Sequence, residues 1–153
     1  TQPFVDTERT EAMGDSQRMR VGKQIDPLVV IPSARELIMY SVASSDLYEA
    51  HYDADYARAQ GLPGVIVHGL LKLAYLGRAV TEWAGTDAFV RSISGSYRGL
   101  DIVQQAFRVE GEVAALDLVN GATVVTVELR GISADGAIST PGRAVLELPG
   151  IRT

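Results

Sequence analysis

The sequence has no cysteine and only two histidines, His51 and His68. The lack of cysteine excludes disulfides, a thiol nucleophile and thiolate metal sites, and it fits a cytoplasmic protein. No apolar run reaches the length of about 18 residues that a membrane span needs, so we expect none. The N-terminus is polar, and no signal peptide is expected. A net charge of −5 argues against non-specific binding of nucleic acids.

What the chain does contain is the composition of one globular domain. Its 153 residues are 46% hydrophobic and 22% charged, which is enough to build a substantial core. Residues 1–20 mix charged and polar side chains without periodicity, which predicts a flexible or loosely docked N-terminal segment. The folded domain is therefore predicted over residues 21–153.

One long apolar helix, predicted over residues 69–84, organises the chain. A Pro63-Gly64 turn precedes it, and Gly85 suits its C-terminal cap. Its polar side is expected to meet solvent or a partner subunit and carries Lys72, Tyr75, Arg78 and Glu82. The apolar positions recur at a spacing of 3.6 residues and predict one buried face, formed by Leu70, Leu73, Ala74, Leu76, Gly77, Val80, Trp83 and Ala84.

The rest of the chain reads as shorter elements around this helix. Ser33 is a good N-cap for a helix over residues 34–43 that buries Leu37, Ile38, Tyr40 and Ser41 by spacing. Asn120-Gly121 and Asp135-Gly136 are hairpin signals. The remaining segments predict a strand ending at 31, a short helix over 54–60, and strands over 89–97, 103–116, 122–132 and 137–148, the last with a bulge at Pro141-Gly142. This order predicts an α+β fold with a mostly antiparallel sheet.

Asp46 and His51 are the first candidate pair for chemistry. An offset of five residues turns roughly 140° around a helix axis, so the two side chains converge only if a loop intervenes. The Ser-Ser-Asp turn at 44–46 supplies such a loop. A converged pair can hold a water and move its proton, since the pKa of histidine lies near neutrality. The alternative is that Asp46 caps a helix end and His51 is a surface residue.

Val67-His68-Gly69 is the second candidate. The first amides of a helix have no internal partner, and a glycine there lets a substrate carbonyl approach. Gly69 is thus a candidate oxyanion hole for a thioester. An equally good interpretation is that glycine serves only a tight helix start.

These motifs together resemble the MaoC-like dehydratase family, the (R)-specific enoyl-CoA hydratases with a hot-dog fold. That family carries Asp-x-Asn-Pro-x-His, then Asp-x-x-Tyr/Phe-Ala, then Pro-x-x-His-Gly. The corresponding segments here are Asp46-Leu-Tyr-Glu-Ala-His51, Asp53-Ala-Asp-Tyr-Ala57 and Pro63-Gly-Val-Ile-Val-His68-Gly69. Thr81-Glu-Trp-Ala-Gly85 and Ser94-Gly-Ser-Tyr-Arg-Gly99 are also similar to the family.

The resemblance implies a single hot-dog domain, with a sheet wrapped around one central helix. It implies that Asp46 and His51 activate a water that adds to a trans-2-enoyl-CoA, and that the Gly69 amide binds the thioester oxygen. The reverse reaction is dehydration of a 3-hydroxyacyl-CoA. The family's reaction needs no metal or redox cofactor, and too few ligands cluster in the sequence to predict a zinc site.

Two departures from the family pattern concern the same loop. Tyr48 and Glu49 stand where the family has Asn-Pro, and Ser45 stands where it often has glycine. This variant is similar to the small subunits of steroid side-chain-degrading hydratases, which work with a second hot-dog subunit. A bulky acyl-CoA is then the implied substrate. One hot dog leaves a sheet edge open, so we expect a homodimer or a heteromer.

Other interpretations stay open from the sequence. Tyr48, His68 and Arg98 are possible substrate-binding residues. Lys72, Arg78 and Arg91 are either contacts to CoA phosphates or solvated surface charges. The chain is alternatively a weakly active partner subunit of a larger hydratase, a hot-dog acyl-CoA thioesterase, or a module that only binds acyl-CoA.

Overall fold

A computed structural model describes residues 19–148, so nearly all of the predicted lead-in, residues 1–20, lies outside the described residues. The described chain contains four helical segments and five strands. The helical segments are α1 (Ala34–Ser44), a 3₁₀ turn (Glu49–His51), α2 (Ala54–Ala59) and α3 (Gly69–Ala84). The strands are β1 (Leu28–Val30), β2 (Phe89–Gly95), β3 (Phe107–Val119), β4 (Ala122–Ile132) and β5 (Ile138–Leu148).

The strands form one antiparallel sheet in the order β1-β3-β4-β5-β2, curled against α3. This is the α+β hot-dog fold that was predicted. Asn120 (φ 52°) and Gly121 (φ 81°) both take positive φ in the β3–β4 hairpin, which confirms the Asn-Gly signal. Strand β3 begins four residues later than predicted because residues 103–106 form a turn in which Gln104 has φ 64°.

Helix α1 begins as its sequence predicts. The Ser33 hydroxyl accepts a hydrogen bond from the Glu36 amide at 3.1 Å, the N-cap interaction. Leu37 and Ser41 are buried, one turn apart. Ile38, also predicted to be buried, is 50% exposed because only a narrow stripe of this helix contacts the core.

Helix α3 packs against the sheet, and the face that it buries differs from the one predicted. Leu70 is 55% exposed, and Ala74 is also exposed. Lys72 and Tyr75, assigned to the polar side, are buried because each has a buried or half-buried acid to bond, Asp101 and Glu36 respectively. The buried residues of α3 are Leu71, Lys72, Tyr75, Leu76, Ala79 and Val80.

The sheet approaches α3 most closely at Gly142. A Cβ atom there would lie 2.5 Å from Leu76 Cδ2 and 2.7 Å from the Ser94 carbonyl oxygen. The bulge predicted at Pro141-Gly142 is wrong, since Gly142 pairs in register with Leu129. The irregularity of β5 lies instead at Ser139, the extra residue between Thr140, which pairs with Gly131, and Ile138, which pairs with Ile132.

Among residues 19–148, none of the helices combines the length and the hydropathy that crossing a bilayer requires.

Candidate active site

The loop after α1 brings Asp46 and His51 together. Helix α1 ends at Ser45, whose left-handed backbone (φ 59°) turns the chain away from the helix axis. The chain then forms the 3₁₀ turn that ends at His51. Asp46 Oδ2 lies 3.8 Å from His51 Nε2, so the loop achieves the convergence that a continuous helix would prevent.

The orientation of the His51 ring is fixed from two sides. Its Nδ1 lies 2.7 Å from the backbone carbonyl oxygen of Ile66. A carbonyl only accepts hydrogen bonds, so Nδ1 carries the proton and Nε2 of the neutral ring is a free base. The Tyr48 ring meets His51 edge-on, with centroids 5.7 Å apart. His51 is 7% exposed, whereas the Asp46 side chain is 43% exposed and open to solvent.

His68 lies directly behind His51. The two imidazole rings stack with centroids 3.8 Å apart and planes 20° apart. His68 is fully buried, its Nε2 lies 2.9 Å from Ser41 Oγ, and the Tyr40 ring meets it edge-on. Its Nδ1 is buried without a hydrogen-bond partner. Burial and then the neighbouring His51 lower the pKa of His68, against the opposing effect of Asp46, so the buried ring is neutral at pH 7.

Asp46, His51 and His68 together offer three candidate metal ligands. One ligand atom of each lies within 4.8 Å of those of the other two. The stacked rings fit a shared ion poorly, because an imidazole binds a metal in its own plane and these two planes are nearly parallel. The clustering itself was not foreseen from the sequence. That the protein needs no metal stays a prediction.

Gly69 is the first residue of α3, so its amide has no acceptor within the helix. The ring of Tyr97 packs directly over it. A Cβ atom at position 69 would lie 2.9 Å from Tyr97 Cδ2, closer than real Cβ contacts come. Glycine is therefore required for this packing whether or not its amide binds a substrate.

Of the remaining predicted binding residues, Tyr48 and His68 lie against the ring of His51 and Arg98 lies on a separate surface. Tyr48 is half-exposed beside His51 and also meets the Tyr56 ring edge-on. His68 has no exposed surface, and its contact with substrate stays a prediction. Arg98 is exposed on a shallow cavity of about 370 Å³ that also holds Arg130.

The other cations, for which contact with CoA phosphates and a solvated surface position were both left open, have carboxylate partners. Lys72 fits neither interpretation, because it is 2% exposed and pairs with Asp101. Arg78 pairs with Glu82 on α3, and Arg91 pairs with Glu147 across the sheet. Both are surface ion pairs, as the alternative interpretation held.

Two contributors to the site were missed at the level of sequence. Tyr97 was quoted only within a family motif, although its ring covers Gly69. The Ile66 carbonyl orients His51, but every residue has a carbonyl, so no sequence signal marks it. Ser41 was predicted to be buried, but its partner His68 lies 27 residues away, so no local signal marked the contact.

Several known proteins are similar to this chain. The (R)-hydratase from A. caviae involved in PHA biosynthesis is 27% identical with a TM-score of 0.77, over 87% of this chain and 99% of its own. The ChsH1-ChsH2 complex from Mycobacterium tuberculosis contains a chain 25% identical with a TM-score of 0.76, over 85% of this chain and 98% of that one.

A curated relative carries the resemblance to steroid-degrading hydratases. It is the 3-oxo-4,17-pregnadiene-20-carboxyl-CoA hydratase beta subunit of Mycobacterium tuberculosis, 32% identical over 73 residues. The match spans 48% of this chain and 57% of that protein. The MaoC like domain family matches residues 9–134, most of the chain and all of the site described above. The chain belongs to the MaoC-like family, as its motifs predicted.

Proposed function

We propose that this chain is a hydratase that adds water across trans-2-enoyl-CoA thioesters and catalyses the reverse dehydration of 3-hydroxyacyl-CoA. The observation that supports this best is the Asp46–His51 pair, with 3.8 Å between Oδ2 and Nε2, beside the first amide of α3. Membership of the MaoC-like family and structural similarity to an (R)-hydratase support the same reaction.

The Asp46–His51 geometry suits the activation of a water. A separation of 3.8 Å is too long for a direct hydrogen bond and short enough for one water oxygen to bridge. His51 Nε2 accepts the proton as the water oxygen forms its bond to C3 of the substrate, and the carboxylate of Asp46 stabilises the resulting imidazolium.

The start of α3 suits the other end of the substrate. As oxygen adds to C3, the C2=C3 electron pair moves toward the thioester and leaves an enolate oxygen. The Gly69 amide and the positive end of the helix dipole stabilise that charge. The His51 imidazolium then gives up the proton that it took from water, C2 receives it, and the thioester stays intact. The reaction changes no net oxidation state, so we propose that it uses no redox cofactor. Because the Gly69 amide stabilises the enolate and the Asp46–His51 pair activates the water, we also propose that it uses no metal.

A second candidate function is that of a partner subunit with little activity of its own. Tyr48 and Glu49 replace the Asn-Pro of the family motif, and Tyr48 lies against the ring of His51. The similar proteins include a hydratase beta subunit and a chain of a two-protein complex. Strand β2 forms one edge of the sheet, where a second hot-dog subunit or a second copy would add strands.

The test is loss of the ultraviolet absorbance of the conjugated enoyl thioester. The purified chain would be mixed with crotonyl-CoA and, separately, with a steroid-derived enoyl-CoA. Asp46→Asn and His51→Ala are each expected to lower kcat by about 10²- to 10⁴-fold, because each removes part of the acid–base pair. Asp53→Asn is the matched control, since that carboxylate caps α2.

Three outcomes separate the candidates. Loss of absorbance with the thioester intact, abolished by both site variants, establishes a hydratase. The substrate that is preferred then identifies the class of acyl group. Release of free CoA thiol, detected with a thiol reagent, would instead identify a thioesterase. No turnover with either substrate would refute independent activity and favour the partner-subunit function, which size measurements with candidate subunits would then address.

A further inference from the structure

A buried ion pair lies behind the start of α3. Lys72 Nζ is 2.8 Å from Asp101 Oδ2, and both side chains are at most 5% exposed. Lys72 also donates to the Gly99 carbonyl at 2.9 Å, and Asp101 accepts from the hydroxyls of Ser133 and Ser139 at 2.7 Å each. Apolar replacements of buried pairs are often as stable as the pair, so stability alone does not account for these charges.

Asp101 is bonded to the chain on both sides of Gly69. Its backbone carbonyl accepts a hydrogen bond from the Val67 amide at 2.8 Å, two residues before Gly69. Its carboxylate binds Lys72, three residues after Gly69. We call Lys72 and Asp101 the Asp101 clamp. Residues on both flanks of Gly69 are thus bonded to Asp101.

The clamp also holds the loop that covers Gly69. Lys72 Nζ bonds the Gly99 carbonyl and lies 6.0 Å from the centroid of the Tyr97 ring. The amides of Arg98 and Gly99 bond the Ser139 carbonyl, which anchors the same loop to β5. The ring of Tyr97 is thereby kept over Gly69, where a Cβ atom would lie 2.9 Å from Tyr97 Cδ2.

We propose that Lys72 and Asp101 are positioning residues that aim the Gly69 amide at the thioester oxygen of the substrate and hold the Tyr97 ring over Gly69. The proposal rests on the proposed hydratase function. Neither charge touches the substrate, since both are buried. An oxyanion donor stabilises the transition state only when it is aimed at the developing charge, so a small displacement at Gly69 is costly.

The decisive variant is the double substitution Lys72→Met and Asp101→Asn. It removes both charges, so no uncompensated charge stays buried and the fold is kept. A positioning role predicts that kcat falls on the order of 10²-fold while KM changes little, even where urea unfolding shows normal stability. The matched control, Arg78→Met with Glu82→Gln, removes an exposed ion pair from the same helix and is expected to leave kcat unchanged.

A readout independent of activity is the Gly69 amide resonance. His68-Gly69 is the sole His-Gly pair in the sequence, so ¹³C-histidine with ¹⁵N-glycine labelling gives one cross-peak. That peak is expected to shift in the double variant and not in the control. Ser139→Ala, which removes one donor to Asp101 and keeps both charges, serves as a milder variant with a smaller shift.

The outcomes separate this proposal from the hydratase function. A stable double variant with full kcat and an unmoved peak would overturn the clamp. A wild-type chain without hydratase activity would refute the proposed function, and the peak would still decide whether the clamp orients Gly69.

Discussion

Two polar clusters, one of them wholly buried, flank the start of α3, and they differ in how completely their atoms are bonded. Around the Asp101 clamp, the ammonium group and both carboxylate oxygens have partners between 2.7 and 2.9 Å. In the histidine cluster, formed by His51, His68 and Asp46, His68 Nδ1 has no partner and the Asp46–His51 gap is 3.8 Å.

This difference in hydrogen bonding suits one cluster to a structural role and the other to a chemical one. A fully bonded buried network holds one arrangement rigidly, because any change leaves a charge or hydrogen-bonding group unmet. An incomplete network leaves atoms that can form further hydrogen bonds, here His51 Nε2 and the carboxylate of Asp46. The first cluster can therefore fix the backbone of the site while the second remains free to bind water and substrate.

The largest expected effect on stability comes from removing one partner of the buried ion pair. Lys72→Met leaves the Asp101 carboxylate buried without its cation, so we expect a loss of about 3–5 kcal/mol in the free energy of unfolding, measured with urea. Arg78→Met, which removes an exposed ion pair from the same helix, should cost about 0.3–0.5 kcal/mol. Equal losses of unfolding free energy for the two variants would show that breaking the buried ion pair costs no more than breaking an exposed one.

A smaller effect on stability is expected when the histidine cluster loses one more hydrogen bond. Ser41→Ala removes the partner of His68 Nε2 and leaves both ring nitrogens unmet in a buried site. This should cost about 1–3 kcal/mol in urea unfolding. Ser44→Ala on the same helix removes an exposed hydroxyl and should change stability by less than about 0.5 kcal/mol. A loss at Ser41 no larger than at Ser44 would contradict the assigned hydrogen bond.

The smallest effect is a dependence of stability on pH. The pKa of His68 is lowered in the folded chain, chiefly by burial and then by His51. The unfolded chain therefore binds more protons between the ordinary pKa, about 6.5, and the lower folded pKa. Stability should fall as pH drops through that window, by at most about 1.4 kcal/mol per pH unit.

The variant His68→Asn isolates this titration from those of His51 and Asp46. Unfolding free energies at about pH 7.5 and about pH 5.5 should differ less in the variant than in the wild type, since the group with the lowered pKa is gone. An identical pH dependence in both chains would mean that His68 is not the group responsible.

Local signals in the sequence were enough to predict the fold class and the position of most elements. The Ser33 cap, the Asn120-Gly121 hairpin and the extent of α3 all depend on neighbouring residues and are confirmed. The family motifs identified the loop that joins Asp46 to His51, although spacing alone left their convergence open.

The rotation of α3 was not predictable in the same way. Hydrophobic periodicity assigns Lys72 and Tyr75 to the outside of the helix, because it considers only whether a side chain is polar. It does not consider whether a hydrogen-bond partner is present in the core. Their partners, Asp101 and Glu36, lie 29 and 39 residues away along the chain. A pairing over that distance leaves no local pattern, so only the folded structure shows that these polar groups are satisfied inside.

The closeness of β5 to α3 at Gly142 limits how this domain can be diversified. A side chain there would meet the Ser94 carbonyl, which is backbone and cannot rotate aside, as well as Leu76. A deep mutational scan should therefore find Gly142 intolerant of replacement, while exposed Leu70 on the outer side of the helix accepts many residues. Sequence changes would then accumulate at the exposed positions of α3, with the contact between helix and sheet left unchanged.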